Sequence, residues 1–411
     1  MRLNRTTKMV VAVAALSLAT ACTTDSGGGS EAGKNGIQGA TGDPTTSEET
    51  YKLGVGMPLT GPSASYGEEF VMATAAGVKD VNEQFAADGI KLELVTADTQ
   101  ATAEGGISAM NKLGAIEKAP AVLTAYGAVV SAAAPVAEDI GFALFNAGAQ
   151  SPALIGASPN LVNTLPMNDV QLDNFTEYLV DTKGYEDFAV IYVDNETGQG
   201  TSDAFEKAVE ARGGKVVAQE SIRQDATDAT TQIAKVKESG ADFIYLQTLL
   251  VEGAATMKAY RESGIDIPVG GYAGEGESRV IRDAGGEAMN GFIYMSHIPE
   301  DLDGVTALLD RLQAEDPDRV LTNPSYDAYF YAVPFLYAEA IKELRSQGAP
   351  VTGDNILAVL NEKKDLSAPI IGPMDLTNKL TYVGPTIIRQ VKDYKADALT
   401  EETIDSVKNE G

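Results

Sequence analysis

Residues 54–67 form the stretch that most constrains the fold, and they read Gly-Val-Gly-Met-Pro-Leu-Thr-Gly-Pro-Ser-Ala-Ser-Tyr-Gly. They follow an apolar strand, and Pro58 and Pro62 end that strand because proline fixes φ and lacks an N–H donor. A helix is expected to begin near Gly67. The loop of such a strand-loop-helix unit lies at the carboxyl edge of a parallel sheet, where open α/β folds bind ligands. The stretch therefore predicts one wall of a ligand cleft, with Tyr66 facing it.

The rest of the chain repeats this alternation of strand and helix. Glu68 and Glu69 are expected in the first turn of the first helix, where the helix dipole favours carboxylates. About 360 residues follow residue 50, a length typical of two domains. They contain no run of 18 apolar residues, which a membrane-spanning helix would need. The pattern predicts an α/β protein with strands at residues 52–57, 90–96, 121–125, 142–145, 188–193, 215–221, 242–246 and 386–391.

The first 50 residues are expected to lie outside the fold. Residues 1–21 have a basic start and a short apolar segment, which is typical of a secretory signal peptide. The segment ends Leu-Ala-Thr-Ala before Cys22, the only cysteine, and it resembles a bacterial lipobox, so Cys22 is the expected lipidation site. The alternative is an ordinary signal peptide with an incidental thiol. Residues 22–50 are rich in Gly, Ser, Thr and acidic residues, a composition that predicts a flexible linker.

Composition disfavours nucleic-acid binding and most enzyme classes. The formal net charge is −28, whereas phosphate binding needs clustered Lys and Arg. His297 is the only histidine, and no Gly-x-Ser-x-Gly motif accompanies it. One histidine and one cysteine leave only carboxylates as further metal ligands. Gly54 and Gly56 lack the third glycine of a dinucleotide-binding fingerprint. No enzymatic activity, metal site or cofactor is expected.

Several motifs together resemble one family, the type I periplasmic binding proteins of the branched-chain amino acid and amide branch. The first is Pro-Leu-Thr-Gly at residues 58–61, followed by Ala64 and by Tyr-Gly at residues 66–67. Ala-Pro-Val-Ala-Glu at residues 134–138 and Ile-Gly-Pro at residues 371–373 are further matches. The resemblance runs from about residue 52 to about residue 393.

The resemblance implies an α/β fold of two Rossmann-like lobes with parallel sheets, joined by a three-segment hinge. Lobe I would comprise residues 51–167 and 298–384. Lobe II would comprise residues 168–297 and 385–411. A small ligand would bind between them.

The resemblance also implies ligand contacts at the ends of strands. They are Tyr66, Tyr126, Gly127, Gly148, Ala149, Gln150, Thr197, Leu249, Glu275 and Tyr326. Gln150 replaces a threonine of the family pattern, and its amide is expected to face the cleft. Tyr126 and Gly127 stand where many relatives carry a serine pair that holds a ligand carboxylate. These departures weaken the case for an α-amino acid.

Two positions in lobe II also depart from the family pattern. Thr197 stands where an aromatic residue is usual, and Leu249 makes the lobe less polar. The glutamate that binds the ligand ammonium in relatives falls on Ala273, with Glu275 two residues later. Either the loop has slipped by two residues or the ammonium contact does not exist. These features favour a less polar solute, such as an amide or an aromatic or aliphatic carboxylate.

The function implied is that of an extracytoplasmic, lipid-anchored solute-binding component of an ABC importer. It would act as a monomer at the outer face of the cell membrane, and its partners would be permease and ATPase subunits. The alternative is a receptor subunit that reports its ligand to a signalling protein. The sequence leaves the identity of the ligand open.

Overall fold

The structure is a computed structural model that describes residues 36–297, 302–319, 321, 323–392, 394 and 401–407. The proposed signal peptide and Cys22 lie outside the described residues. So do residues 23–35, which are half of the segment between Cys22 and the first strand.

Lobe I contains a five-stranded sheet in which every neighbouring pair is parallel. The strand order is β2-β1-β3-β4-β5, so the carboxyl ends of all five strands meet at one edge. The strands are β1 (Glu49–Met57), β2 (Ile90–Asp98), β3 (Ala121–Thr124), β4 (Ala143–Asn146) and β5 (Leu161–Asn163).

Six longer helices cover this sheet or extend from it. They are α1 (Ala64–Gln84), α2 (Ala103–Met110), α3 (Gly127–Ile140), α10 (Leu302–Glu315), α11 (Pro324–Ser346) and α12 (Gly353–Glu362). Helices α1 and α11 pack closely, since a Cβ at Gly77 would overlap the backbone carbonyl of Tyr331. A small hairpin of β11 (Leu366–Ala368) and β12 (Gly372–Met374) contacts α11.

Helix α1 begins at Ala64, three residues earlier than expected. Its N-cap is Ser63, and its first turn holds no acidic residue. Glu69 is instead fully buried inside the helix. The expected start at Gly67 was wrong. Gly67 lies inside the first turn of the helix, and a glycine is required there because a Cβ would overlap the carbonyl oxygen of Pro58.

Lobe II contains a seven-stranded sheet in the order β14-β13-β10-β9-β8-β6-β7. The five strands from β6 to β10 are parallel, whereas at one edge β13 pairs antiparallel with both β10 and β14. The strands are β6 (Asp187–Val193), β7 (Lys215–Ile222), β8 (Phe243–Gln247), β9 (Val269–Tyr272), β10 (Ile293–Ser296), β13 (Thr386–Val391) and β14 (Glu401–Val407). The two-lobe α/β prediction is confirmed, and the antiparallel edge is an addition to it.

Six helices accompany the second sheet. They are α4 (Asn168–Glu177), α5 (Glu196–Ala211), α6 (Thr230–Glu238), α7 (Leu250–Ser263), α8 (Ala273–Gly276) and α9 (Arg279–Gly285). The chain passes between the sheets three times: between β5 and β6, after β10, and between β12 and β13. Three crossings at one side leave the facing strand ends able to approach or separate.

The described part of the predicted linker packs against lobe I. Ile37 is only 1% exposed and belongs to the lobe I core. Gln38 and Asn355 exchange two hydrogen bonds of 2.8 and 3.0 Å, and Thr45 N–H donates to the Arg345 carbonyl at 2.9 Å. The prediction of a flexible linker up to residue 50 is therefore wrong for residues 36–48, here called the N-terminal strap. One buried isoleucine and backbone hydrogen bonds are enough to hold this polar segment.

Candidate functional site

A cavity of about 180 Å³ lies between the two lobes. Its walls are the loops that follow β1, β2, β3 and β4 in lobe I and β6, β7, β8 and β9 in lobe II, together with the starts of α4 and α11. All eight loops leave the carboxyl ends of strands, which is the ligand-binding edge of an open α/β sheet. The fold therefore brings residues that are up to 263 positions apart, Ser63 and Tyr326, to one cavity.

Nine of the ten ligand contacts expected from the sequence line this cavity. They are Tyr66, Tyr126, Gly127, Gly148, Ala149, Gln150, Thr197, Leu249 and Tyr326. The tenth, Glu275, does not.

Aromatic rings form the lobe I wall. Tyr66 and Phe70 are stacked at a centroid distance of 6.2 Å, and Phe70 stacks on Phe330 at 4.2 Å. Tyr326 packs on Phe70 at 6.3 Å. On the opposite side, the Tyr272 hydroxyl donates to the Thr248 carbonyl at 2.8 Å. Rings fixed in this way offer the ligand rigid apolar surface at little cost in conformational entropy.

Tyr126 has a backbone conformation that bulky residues rarely adopt. Its φ is +69° and its ψ is 125°, directly before the first residue of α3. Such strain is concentrated at functional sites, and here it directs the chain from β3 into the helix with the tyrosine at the cavity wall. Burial raises the pKa of the hydroxyl far above its usual value, with Ser63 opposing the shift. The phenol is therefore protonated at neutral pH.

The Gln150 amide is held by the protein and does not point freely into the cleft. Its Oε1 accepts from the Tyr326 hydroxyl at 2.6 Å. Its Nε2 donates to the Pro166 carbonyl at 2.9 Å and to Gln171 Oε1 at 2.8 Å. Both polar atoms of the amide therefore already have partners within the protein, and one of these partners is the Tyr326 hydroxyl.

Glu275 is fully buried in its own loop. One carboxylate oxygen accepts from the backbone N–H and the hydroxyl of Thr248, at 2.6 and 3.0 Å. The other accepts from the Tyr272 N–H at 3.0 Å. Burial raises the pKa of Glu275 well above its ordinary value, although these hydrogen bonds oppose the shift. Of the two readings left open by the sequence, this geometry favours the absence of an ammonium contact.

The family model for periplasmic binding proteins matches residues 50–396 of this chain. The chain belongs to the periplasmic binding protein family. The match covers all the loops that line the cavity and both sheets, apart from Glu49 and the edge strand β14.

Relatives of this periplasmic binding protein differ in their named ligands. A leucine-, isoleucine-, valine-, threonine- and alanine-binding protein of Pseudomonas aeruginosa is 23% identical over 68% of the chain and 76% of its own length. A Streptococcus pneumoniae branched-chain amino acid transporter protein, solved with isoleucine, has a TM-score of 0.74 at 20% identity, over 87% of this chain and 99% of its own. A Rhodopseudomonas palustris solute-binding protein, solved with p-hydroxybenzoic acid, has a TM-score of 0.75 at 21% identity, over 88% and 97%.

Several residues that line the cavity of this periplasmic binding protein were not predicted from the sequence. They are Ser63, Phe70, Asn168, Gln247, Tyr272 and Asn323. Gln247 and Tyr272 are the last residues of β8 and β9, so their position at a strand end was the available signal. Asn168 begins α4 at the first crossing, and no local pattern marks it.

The described residues contain no group of three or more His, Cys, Asp or Glu side chains that could hold a metal ion.

His297 is buried, with its ring 4.8 Å from that of Tyr326, a residue that lines the cavity. Burial, followed by the nearby Arg389 charge, lowers the pKa of His297 to about 3. The sole histidine is therefore a neutral packed ring.

Among the described helices of this periplasmic binding protein, none is long and apolar enough to cross a bilayer.

Proposed function

We propose that this protein captures a small solute between its lobes and delivers it to an ABC importer. The observation that carries the proposal is that the cavity walls come from the strand ends of both lobes. A solute in this position contacts both lobes only when they are closed, so it binds the closed state better and shifts the population towards it. The closed pair of lobes then forms a surface that a permease can distinguish from the open form.

Eight of the nine lining residues predicted from sequence, all except Gln150, are the proposed ligand contacts. Tyr66, Tyr126 and Tyr326 supply apolar faces and hydroxyl groups, and the backbone of Gly127 and Gly148 allows close approach. Gln150 acts through Tyr326. Glu275 shapes the loop after β9 and holds Thr248 and Tyr272 in place.

Cys22 is the proposed lipidation site, and the lipid would place the protein at the outer face of the cell membrane. The protein is proposed to act there as a monomer. The support is the sequence before Cys22 together with the extracytoplasmic location that the family implies. Metabolic labelling with a radioactive fatty acid tests this: Cys22→Ser should abolish the label and release the protein from the membrane fraction. Label that persists in the variant would disprove the anchor.

Ligand capture is tested by thermal unfolding of the mature chain, refolded to remove carried-over ligand. A solute at 100 times its dissociation constant adds about 2.7 kcal/mol to stability. The library should contain amino acids, amides, and aromatic and aliphatic carboxylates. Any solute that binds should be recovered chemically unchanged, since the family consists of binding proteins; turnover would contradict the proposal.

Delivery is tested in proteoliposomes that contain the candidate permease and ATPase. ATP hydrolysis should rise only when the binding protein and its solute are both present. A protein that binds solute but stimulates no such transporter would refute the importer role while leaving ligand capture intact.

A further inference from the structure

The cavity is uncharged. None of the described residues that line it is Asp, Glu, Lys, Arg or His, although the chain as a whole carries a formal charge of −28. Its polar lining consists mainly of six carboxamides and several hydroxyl groups. An ammonium or carboxylate placed there would be taken out of water without an opposite charge, which is costly for any ion.

The acidic groups nearest the cavity are occupied within the protein. Glu275 is fully buried and accepts three hydrogen bonds from Thr248 and Tyr272. Glu69 is also fully buried, and its Oε1 accepts from the Asn323 N–H at 3.0 Å. Neither carboxylate lines the cavity, so neither offers a counter-charge to a ligand ammonium.

Asn168 has a polar atom with no partner among the described residues. The side chain is only 4% exposed and lines the cavity. Its Nδ2 donates to Thr201 Oγ1 at 3.2 Å, whereas its Oδ1 makes no hydrogen bond. If the amide is rotated by 180°, Nδ2 becomes the atom without a partner, because Thr201 offers only one group. A buried polar atom without a partner costs about 1–3 kcal/mol, and a ligand can remove that cost.

The Tyr126 hydroxyl is the second such group. It is buried and makes no hydrogen bond of good geometry, although the Ser63 side chain lies near it at the same wall. Because the phenol is protonated, it can donate to a ligand carbonyl. The unmet acceptor of Asn168 and the unmet donor of Tyr126 are complementary to the N–H and C=O groups of a carboxamide.

We propose that the cavity selects an uncharged, partly apolar solute that carries a carboxamide-like group, and that Asn168 is a specificity-determining residue which accepts a hydrogen bond from it. This proposal rests on the function proposed above and narrows its ligand class. The aromatic wall contacts the apolar part of the solute, and α-amino acids are rejected because their ammonium finds no carboxylate.

The test uses matched compounds that share one carbon skeleton and differ in charge. One series is 4-methylpentanamide, 4-methylpentanoate and leucine; the other is 2-phenylacetamide, phenylacetate and phenylglycine. Titration calorimetry on the refolded mature chain should show saturable binding of at least one amide, at least about tenfold tighter than its carboxylate, and no saturable binding of the amino acids. Tighter binding of leucine or of either carboxylate would overturn the inference and leave solute capture standing.

Failure of both amides also overturns the inference. The proposed function fails separately, when no solute of the whole library stabilises the protein and no transporter responds to it.

Variants at Asn168 separate ligand recognition from structure. Asn168→Leu removes the polar atoms at similar volume and should weaken amide binding about tenfold or more. Thr201→Val is the matched control, because it breaks the same Asn168–Thr201 hydrogen bond and leaves Asn168 in place; its amide affinity should stay within about twofold. Equal losses in both variants would show that Asn168 acts only through packing, against the proposal.

Asn168→Asp keeps the shape of the side chain and adds a carboxylate. It should acquire binding of 3-methylbutylamine, which the parent protein should not bind. This gain of binding also tests the proposal if Asn168→Leu does not fold. An Asn168→Asp variant that folds but does not bind 3-methylbutylamine would contradict the proposed contact between residue 168 and the ligand.

Discussion

Asp327 and Glu69 form a buried acid pair below the cavity. Both side chains are fully buried, on α11 and α1 respectively. Burial and then the neighbouring Glu69 carboxylate raise the pKa of Asp327 well above its ordinary value. Two neighbouring carboxylates that are both buried away from water cannot both be ionised, so the two carboxyl groups share one proton. Neither Asp327 carboxyl oxygen has a hydrogen-bond partner among the described residues, and a shared proton would supply a hydrogen bond between the two carboxyl groups.

Asp327→Asn should make the protein less sensitive to alkaline pH. A carboxyl group with a raised pKa in the folded state contributes stability that is complete below its unfolded pKa of about 4 and is lost as pH rises through the folded value. The asparagine can donate to Glu69 at every pH. The free energy of unfolding of the variant, relative to the parent, should therefore increase as the pH rises from the unfolded pKa of about 4 through the raised folded-state pKa of Asp327, by about 1–3 kcal/mol.

Chemical denaturation at several pH values measures this effect. Asp310→Asn, at an exposed position of α10, is the control and should follow the parent curve. A constant difference between Asp327→Asn and the parent across the pH range would argue against a shared proton.

At the scale of elements, the N-terminal strap is the part of the chain that differs most from its sequence-based description. It runs along the end of lobe I where β1 and β2 begin, since the Ser47 carbonyl oxygen would lie only 3.0 Å from a Cβ placed at Gly89, the residue before β2. Arg345, which is 4% exposed, donates to the Tyr51 hydroxyl at 2.9 Å and to the Ser47 carbonyl. The strap thus ties α11 to the first strand on the side away from the cavity.

Ile37→Ala should destabilise lobe I by about 2–5 kcal/mol, since it removes a fully buried branched side chain. Ile116→Ala is the matched control, because Ile116 is 74% exposed and should lose less than about 0.5 kcal/mol. Urea denaturation followed by circular dichroism gives both values. An Ile37→Ala variant as stable as the control would support the free linker expected from composition.

At the scale of the whole molecule, Gly127 sets how closely the lobes can approach. It begins α3 in lobe I and faces Thr197 in the first turn of α5 in lobe II. A Cβ at residue 127 would lie 2.5 Å from Thr197 Oγ1 but 3.8 Å from its Cβ. The glycine is therefore needed for contact between the lobes at the cavity mouth, and the threonine hydroxyl is the atom that limits it.

Gly127→Val should hold the lobes apart and weaken ligand binding about tenfold or more, a loss of about 1.4 kcal/mol. The double variant Gly127→Ala with Thr197→Ala should close normally, because the limiting atom is gone. Small-angle X-ray scattering should show ligand-induced compaction for the parent and the double variant, and none for Gly127→Val. Normal compaction of Gly127→Val would mean that the lobes do not meet at this point.

The sequence by itself determined the α/β class and the order of most strands, because hydrophobic periodicity and turn chemistry are local. The two lobes and nine lining residues followed from the resemblance of its motifs to one family, whose ligand loops follow strand ends. The tertiary structure decided the rest. Whether Glu275 or Gln150 meets the ligand depends on partners such as Thr248 and Tyr326, which are distant in sequence or placed by the fold. Likewise, only packing shows that Ile37 is buried, that Asn168 keeps an unmet hydrogen bond and that the cavity is uncharged. Burial and hydrogen-bond partners are properties of the assembled fold, and no local pattern encodes them.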